Sequence, residues 1–150
     1  MNAKFAARAF EIDNITAIKW TSADYYQMMQ LKQLTHGEMN IINGPDEMLL
    51  MGLNAGADGG IGTTYNIMLD IIRGIYDSFI SRDIESAQRE QMRANQVISK
   101  LLNYALIPAV KVVLEDMGFA VGNATFPMKQ YSEEQKRAIA SEIREARNIL

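Results

Sequence analysis

A lysine occupies an unusual place in the stretch TAIKWTS, residues 16–22. The β-branched and aromatic residues around Lys19 are typical of a strand, where lysine is depleted and seldom buried without a partner. Alternate strand residues share a face, so Lys19 lies with Thr21 and opposite Trp20. On the inner face of a barrel the amine would be partly desolvated, which lowers its pKa and frees it to attack a carbonyl. The simpler alternative is a lysine that reaches the solvated rim or pairs with an acid.

Two carboxylates follow a turn in the stretch NGPDE, residues 43–47. The backbone of Asn43 and Gly44, with the side chains of Asp46 and Glu47, could accept hydrogen bonds from a polyhydroxylated ligand. Proline before two acids is also ordinary chemistry for the start of a helix, which would give the turn a structural role alone.

The third stretch that could bind a ligand is GADGGIGTTYN, residues 56–66, which matches neither the dinucleotide fingerprint nor the P-loop. Glycines in a strand leave space or permit close backbone approach, and Thr63 at the strand end could donate to an anion such as phosphate. A tightly packed strand explains the same glycines. His36 is the only histidine, and its place near a predicted helix end favours a structural role.

The elements that must position these residues alternate along the first half of the chain. Ser22 is predicted to cap the second helix, and a capping box at Ser132 to open the last one. We predict strands at 15–20, 39–42 and 58–63, and helices at 3–11, 23–35, 46–56, 65–80, 83–105, 108–118 and 132–148.

The predicted strands are about twenty residues apart and separated by helices, which is typical of parallel βαβ units. Three such strands would leave two bare sheet edges, so we predict an α/β fold that is part of a larger sheet. A portion of an eight-stranded (β/α) barrel fits, as does part of a doubly wound sheet. We expect residues 1–80 to form the barrel portion, and residues 81–150 to form C-terminal helices packed on it in the same domain. In either fold the polar clusters meet at the carboxyl ends of the strands.

Composition excludes several classes of function. The chain has 150 residues, a net charge of −3 and no cysteine, which excludes disulfides and thiolate metal sites and fits a cytoplasmic protein. The basic residues do not cluster, so a nucleic-acid partner is not expected. No apolar run approaches the length of a membrane span, so no membrane partner is expected either.

The stretches AIKWTSADYYQMMQL and NGPDEMLLMGLNAGADGGIGTTYNIM, with the helical tail, resemble the N-acetylneuraminate lyases, or sialic acid aldolases. These enzymes are pyruvate-dependent class I aldolases of the dihydrodipicolinate synthase/N-acetylneuraminate lyase superfamily, built on the (β/α)8 barrel. In the sister enzyme dihydrodipicolinate synthase, Glu-Ala more usually follows the lysine, and the Gly-x-Asp-Glu turn is absent. Trp20-Thr21 and the turn from Gly44 to Glu47 therefore favour the lyase.

The resemblance implies a role for each matching residue. Lys19 corresponds to the lysine that forms a Schiff base with the keto carbon, and Thr21 to the threonine near that imine. Gly44, Asp46 and Glu47 correspond to the turn that holds the sugar hydroxyls, and Thr63 to a position that contacts the sugar chain. The implied partners are sialic acid, pyruvate and N-acetylmannosamine, in a homo-oligomer. The protonated imine is the electron sink, so no metal or organic cofactor is expected.

Two departures from the family pattern bear on activity. The family places a proton-relay tyrosine and a pyruvate-binding loop before the lysine, and the 18 residues preceding Lys19 supply neither. The resemblance therefore implies the carboxyl-terminal half of the enzyme, and pyruvate with borohydride is expected to label the isolated chain weakly or not at all. In addition, Thr125 stands where the family often has an arginine, two residues before Pro127.

Three alternatives remain open from the sequence. The chain could be a non-catalytic half-barrel that self-associates or pairs with a missing half. It could be a pyruvate aldolase closer to dihydrodipicolinate synthase. It could also be a phosphate-binding module that uses Gly59 to Thr64.

Overall fold

A three-stranded parallel sheet organises the amino-terminal part of the computed structural model, which describes residues 2–148. Its strands, in the spatial order β1-β2-β3, are β1 (Ala17–Trp20), β2 (Asn40–Asn43) and β3 (Gly59–Gly60). Lys19 pairs with Ile42, and Asn43 pairs with Gly60. This register brings the carboxyl ends of all three strands to one edge and confirms the predicted parallel βαβ units.

Seven α-helices and two short 3₁₀ turns, joined by loops, accompany the sheet in the described chain. The predicted capping box is confirmed, since Gln135 accepts from the Ser132 N–H at 2.9 Å. The 3₁₀ turns are Asp46–Met48 and Thr63–Ile67. The helices are α1 (Ala3–Ala9), α2 (Tyr25–Leu34), α3 (Leu49–Asn54), α4 (Leu69–Ile80), α5 (Ile84–Leu101), α6 (Leu106–Asp116) and α7 (Glu133–Asn148).

Several predicted boundaries are wrong. Helix α5 ends at Leu101 and not at 105, and α4 begins at Leu69, after a 3₁₀ turn, and not at 65. The cap of α2 is Asp24, whose carboxylate accepts from the Gln27 N–H at 3.1 Å, and not Ser22. The third strand is two residues long instead of six. Glycine lacks a side chain that would pack on the sheet, and beyond Gly60 the chain rises into the 3₁₀ turn at Thr63.

Two apolar clusters hold the sheet and its helices together. The smaller one joins α1 and α2 to the sheet through fully buried Trp20, Met28 and Ile41. The larger one contains residues of α3 and α4 together with residues of α5, α6 and α7. The C-terminal helices therefore share a core with the elements that follow β2, and α5 is fixed against the turn after that strand.

Among residues 2–148 no single helix is long and apolar enough to cross a membrane; α5 and α6 reach that length and composition only as a pair bent by 110°.

Candidate active site

An open cleft of about 620 Å³ lies at the carboxyl ends of the strands. Its floor comes from the residues that follow β1, β2 and β3, and one wall comes from α5 and the start of α6. The six residues to which the family resemblance gives a role in the site all line this cleft: Lys19, Thr21, Gly44, Asp46, Glu47 and Thr63.

Lys19 projects from β1 on the face predicted for it. Lys19 is exposed, whereas Trp20 on the opposite face is 1% exposed and packs against the helices. The partial desolvation expected for the amine is therefore not provided by the described residues, because this face of the half-barrel is open. The lysine is nevertheless at the cleft, where a carbonyl ligand would reach it.

Gly44 brings the turn after β2 against Lys19 and Thr21. Its N–H donates to the Trp20 carbonyl at 2.8 Å, which extends the pairing of β1 and β2. A Cβ at this position would overlap the Thr21 hydroxyl and lie 3.0 Å from Cε of Lys19. The absence of a side chain at Gly44 therefore allows the lysine, the threonine and the turn to meet.

Asp46 has a different environment from the one expected of a free ligand-binding carboxylate. It is only 9% exposed, and its Oδ2 accepts from both the Thr64 N–H at 3.0 Å and the Thr64 hydroxyl at 2.6 Å. A Cβ on Gly62 would collide with the same carboxylate. Asp46 thus joins the turn after β2 to the turn after β3.

Glu47 and Thr63 are the exposed neighbours of this buried pair. Both line the cleft, and neither side chain hydrogen-bonds to another of the described residues. Their carboxylate and hydroxyl are therefore available to a ligand, as the sequence predicts for the polar edge.

Tyr25 supports the floor of the cleft from α2. Its hydroxyl lies 3.2 Å from Oδ1 of buried Asn43 and 3.3 Å from the Met48 carbonyl, and it can donate to either. Burial, and secondarily the nearby Glu47 carboxylate, raise the pKa of Tyr25 above its ordinary value. A tyrosine that holds its proton and donates it to the scaffold is suited to a structural role.

The wall formed by α5 was not predicted from the sequence. Asn95, Ser99 and Leu102 line the cleft, as does Leu106 of α6. Asn95, Ser99 and Leu102 are four and three residues apart, which places them on one helix face. That pattern occurs on many helices, and only the packing of α5 shows which face meets the cleft.

We expect the neighbouring residues Thr63 and Thr64 to contribute unequally to the stability of the fold. Thr64→Val removes a hydroxyl bonded to a buried carboxylate, and we expect it to cost about 1.5–3 kcal/mol in the free energy of unfolding. Thr63→Val, the matched control, should leave stability within about 0.5 kcal/mol because Thr63 is exposed. Urea unfolding measures both, and equal stability of the two variants would contradict the assignment of Thr64 as the partner of Asp46.

Known proteins match this chain over most of its length. The model of the dihydrodipicolinate synthetase family matches residues 1–146. N-acetylneuraminate lyase 2 of Escherichia coli O6:H1 is 41% identical over 107 residues, covering 71% of this chain and 35% of the relative. N-acetylneuraminate lyase of Clostridium perfringens is 34% identical over 128 residues, covering 85% of this chain and 44% of the relative.

Solved structures show the same half-barrel. N-acetylneuraminate lyase from Fusobacterium nucleatum superposes with a TM-score of 0.86 at 30% identity, over 97% of this chain and 49% of the other. The Aliivibrio salmonicida enzyme gives 0.88 at 25% identity, over 96% and 48%. The chain thus spans less than half the length of these curated relatives and about half that of the solved structures. The match over nearly the whole of this sequence shows that the chain belongs to the dihydrodipicolinate synthetase family.

Proposed function

We propose that this chain carries the imine-forming and sugar-binding portion of a class I aldolase that reversibly cleaves N-acetylneuraminate to N-acetylmannosamine and pyruvate. The observation that carries the proposal is the meeting of Lys19 with Glu47 and Thr63 in one cleft. An amine is needed at the keto carbon, and hydroxyl-binding groups are needed along the sugar chain. Family membership supports the pyruvate-dependent chemistry in general.

The proposed reaction begins at the Lys19 amine. The amine attacks the keto carbon of the open-chain sugar acid, water leaves, and a protonated imine forms. When the carbon–carbon bond breaks, its electron pair moves into the imine as an enamine, while the sugar hydroxyl becomes the aldehyde of N-acetylmannosamine by giving up its proton. Protonation of the enamine and hydrolysis of the resulting imine release pyruvate and the amine. Because the imine is the electron sink, we propose no metal or organic cofactor.

Each further site residue has a distinct proposed task. Thr21, against Gly44 and near Lys19, orients the imine. Glu47 accepts hydrogen bonds from sugar hydroxyls, and Thr63 exchanges hydrogen bonds with the sugar chain. Asp46 belongs to the same turn, and its bonds to Thr64 make it the residue that fixes the turn's position.

The reaction also needs a group that moves the hydroxyl proton, because bond cleavage and proton removal are coupled. Tyr25 is bonded to the scaffold and is not proposed for this task. We propose that the relay and the pyruvate-carboxylate site come from an amino-terminal barrel portion, and that the active protein is a cytoplasmic homo-oligomer.

A second candidate function is condensation of pyruvate with an amino aldehyde, as in dihydrodipicolinate synthase. The observation that favours it is the match of residues 1–146 to the dihydrodipicolinate synthetase family model. The turn Gly44–Glu47 favours a polyhydroxylated substrate.

A comparison of two substrates tests the proposed function. The chain is mixed with a separately expressed amino-terminal half of the Escherichia coli lyase. The rate of pyruvate release from N-acetylneuraminate is then compared with the rate at which pyruvate is consumed when aspartate semialdehyde is the second substrate. We expect the sugar acid to be preferred on the order of tenfold or more. The chain alone should show little turnover, and size-exclusion chromatography should show whether it self-associates. Preference for the amino aldehyde would favour the second candidate, and robust turnover by the chain alone would contradict the need for an added relay.

A further inference from the structure

Gln91 of α5 has a buried side chain that hydrogen-bonds to the turn carrying Asp46 and Glu47 and to the start of α3. It is 9% exposed, and its Oε1 accepts from the Leu50 N–H at 2.9 Å. The start of α3 has no side-chain cap of its own, so this bond satisfies a donor that would otherwise be buried without a partner. Its Nε2 donates to the Asp46 carbonyl at 3.3 Å.

These two backbone partners fix the orientation of the Gln91 amide. The Leu50 N–H can only donate, so the amide oxygen must face it. The Asp46 carbonyl can only accept, so the amide nitrogen must face that side. Reversing the amide would set donor against donor and acceptor against acceptor at once.

The fixed amide in turn orients Asn95, one helical turn along α5. The second proton of Gln91 Nε2 is donated to Asn95 Oδ1 at 3.0 Å. Asn95 must therefore present its oxygen to Gln91, which leaves its Nδ2 as the group on the other side. Asn95 is exposed and lines the cleft with Lys19 and Glu47.

We propose that Asn95 is a ligand-binding residue whose NH₂ group donates to a hydroxyl or amide oxygen of the substrate, and that Gln91 is the positioning residue that sets this polarity. This proposal rests on the proposed function for the identity of the ligand. A fixed donor here complements Glu47, which can only accept when ionised. Together they would favour a neutral polyhydroxylated ligand with an exposed acceptor oxygen.

The test measures binding of N-acetylmannosamine to the full chain by the shifts of side-chain amide resonances in nitrogen-15 spectra. Asn95→Ala should weaken the affinity about tenfold, the loss of one hydrogen bond. Asn95→Asp keeps an oxygen for Gln91 but replaces the donor with an acceptor, so it should weaken the affinity further. Gln96→Glu adds a charge to the exposed side of the same helix, as a matched control, and should leave the affinity unchanged.

A double-mutant cycle tests the positioning role of Gln91. Gln91→Met frees the Asn95 amide to rotate, and two equally populated orientations would weaken the affinity about twofold. In the Asn95→Ala background the same change should have no further effect on affinity, whereas a general structural role would add to it. Additive losses would overturn the positioning role.

Reductive labelling of Lys19 with pyruvate, run on the same samples, separates this proposal from the proposed function. If Asn95→Ala binds N-acetylmannosamine as tightly as the parent chain does, the proposed role of Asn95 is overturned, whatever the labelling shows. Absence of N-acetylmannosamine binding by the parent chain overturns it as well. Loss of affinity in Asn95→Ala, with no pyruvate labelling of Lys19 even when an amino-terminal barrel portion is supplied, would support the Asn95 site and count against the aldolase.

Discussion

Lys19→Arg should abolish covalent capture of pyruvate. Borohydride reduces an imine to a stable amine. In the parent chain, mass spectrometry should therefore find one pyruvate adduct, and peptide mapping should place it on Lys19. The adduct should be weak in the isolated chain and stronger when an amino-terminal barrel portion is supplied. Arginine keeps the positive charge but does not form the imine. When the amino-terminal portion is supplied, cleavage of N-acetylneuraminate should fall by on the order of 10³-fold or more in the same variant.

Lys4→Arg is the matched control for this experiment. Lys4 is an exposed lysine of α1, outside the cleft. Its replacement should leave the adduct at full yield. Equal labelling of Lys19→Arg and the parent chain would show that pyruvate is captured elsewhere and would remove the central residue of the proposed function.

Gly62→Ala should cause the largest loss of stability among the site substitutions. A Cβ there would collide with the Asp46 carboxylate, which is closed in by Thr64 on its other side. Either the carboxylate moves and loses its bonds to Thr64, or the backbone after β3 shifts. We expect a cost of about 2–4 kcal/mol, seen as a shift of roughly 1–2 M in the urea midpoint.

Gly59→Ala provides the comparison within the same glycine-rich segment. Nothing lies within 4 Å of a Cβ built on Gly59. Alanine there should change the stability by less than about 0.5 kcal/mol, or raise it slightly, because it restricts the unfolded chain. Similar destabilisation by both variants would mean that the segment resists any side chain and that the contact between Gly62 and Asp46 is not the cause.

Strand and helix order was predictable because it depends on short-range pattern. The β-branched run around Lys19 and the spacing of the later segments indicate parallel units, and parallel units bring their carboxyl ends together. Boundaries were less predictable. Asp24 rather than Ser22 caps α2, and both residue types cap helices equally well in isolation. The short length of β3 is set by the next segment of the chain, since Gly60 leads into the turn that covers Asp46.

The different roles of adjacent polar residues could not be predicted from the sequence. Asp46 and Glu47 are adjacent acids, and pattern alone gives them the same role. The structure buries the first against Thr64 and leaves the second exposed. Thr63 and Thr64 show the same contrast in the opposite order along the chain.

The sequence by itself determined that an amine, an acidic turn and a threonine pair would meet at one edge of a parallel sheet. That result comes from strand periodicity and chain direction, which are local properties. Only the tertiary structure decided which of the adjacent acids and threonines is buried, and that α5 forms a wall of the cleft. Those outcomes depend on contacts such as Gln91 with Leu50, between residues 41 positions apart. Such contacts are set by how the helices pack, because each buried donor must find an acceptor wherever the fold places one.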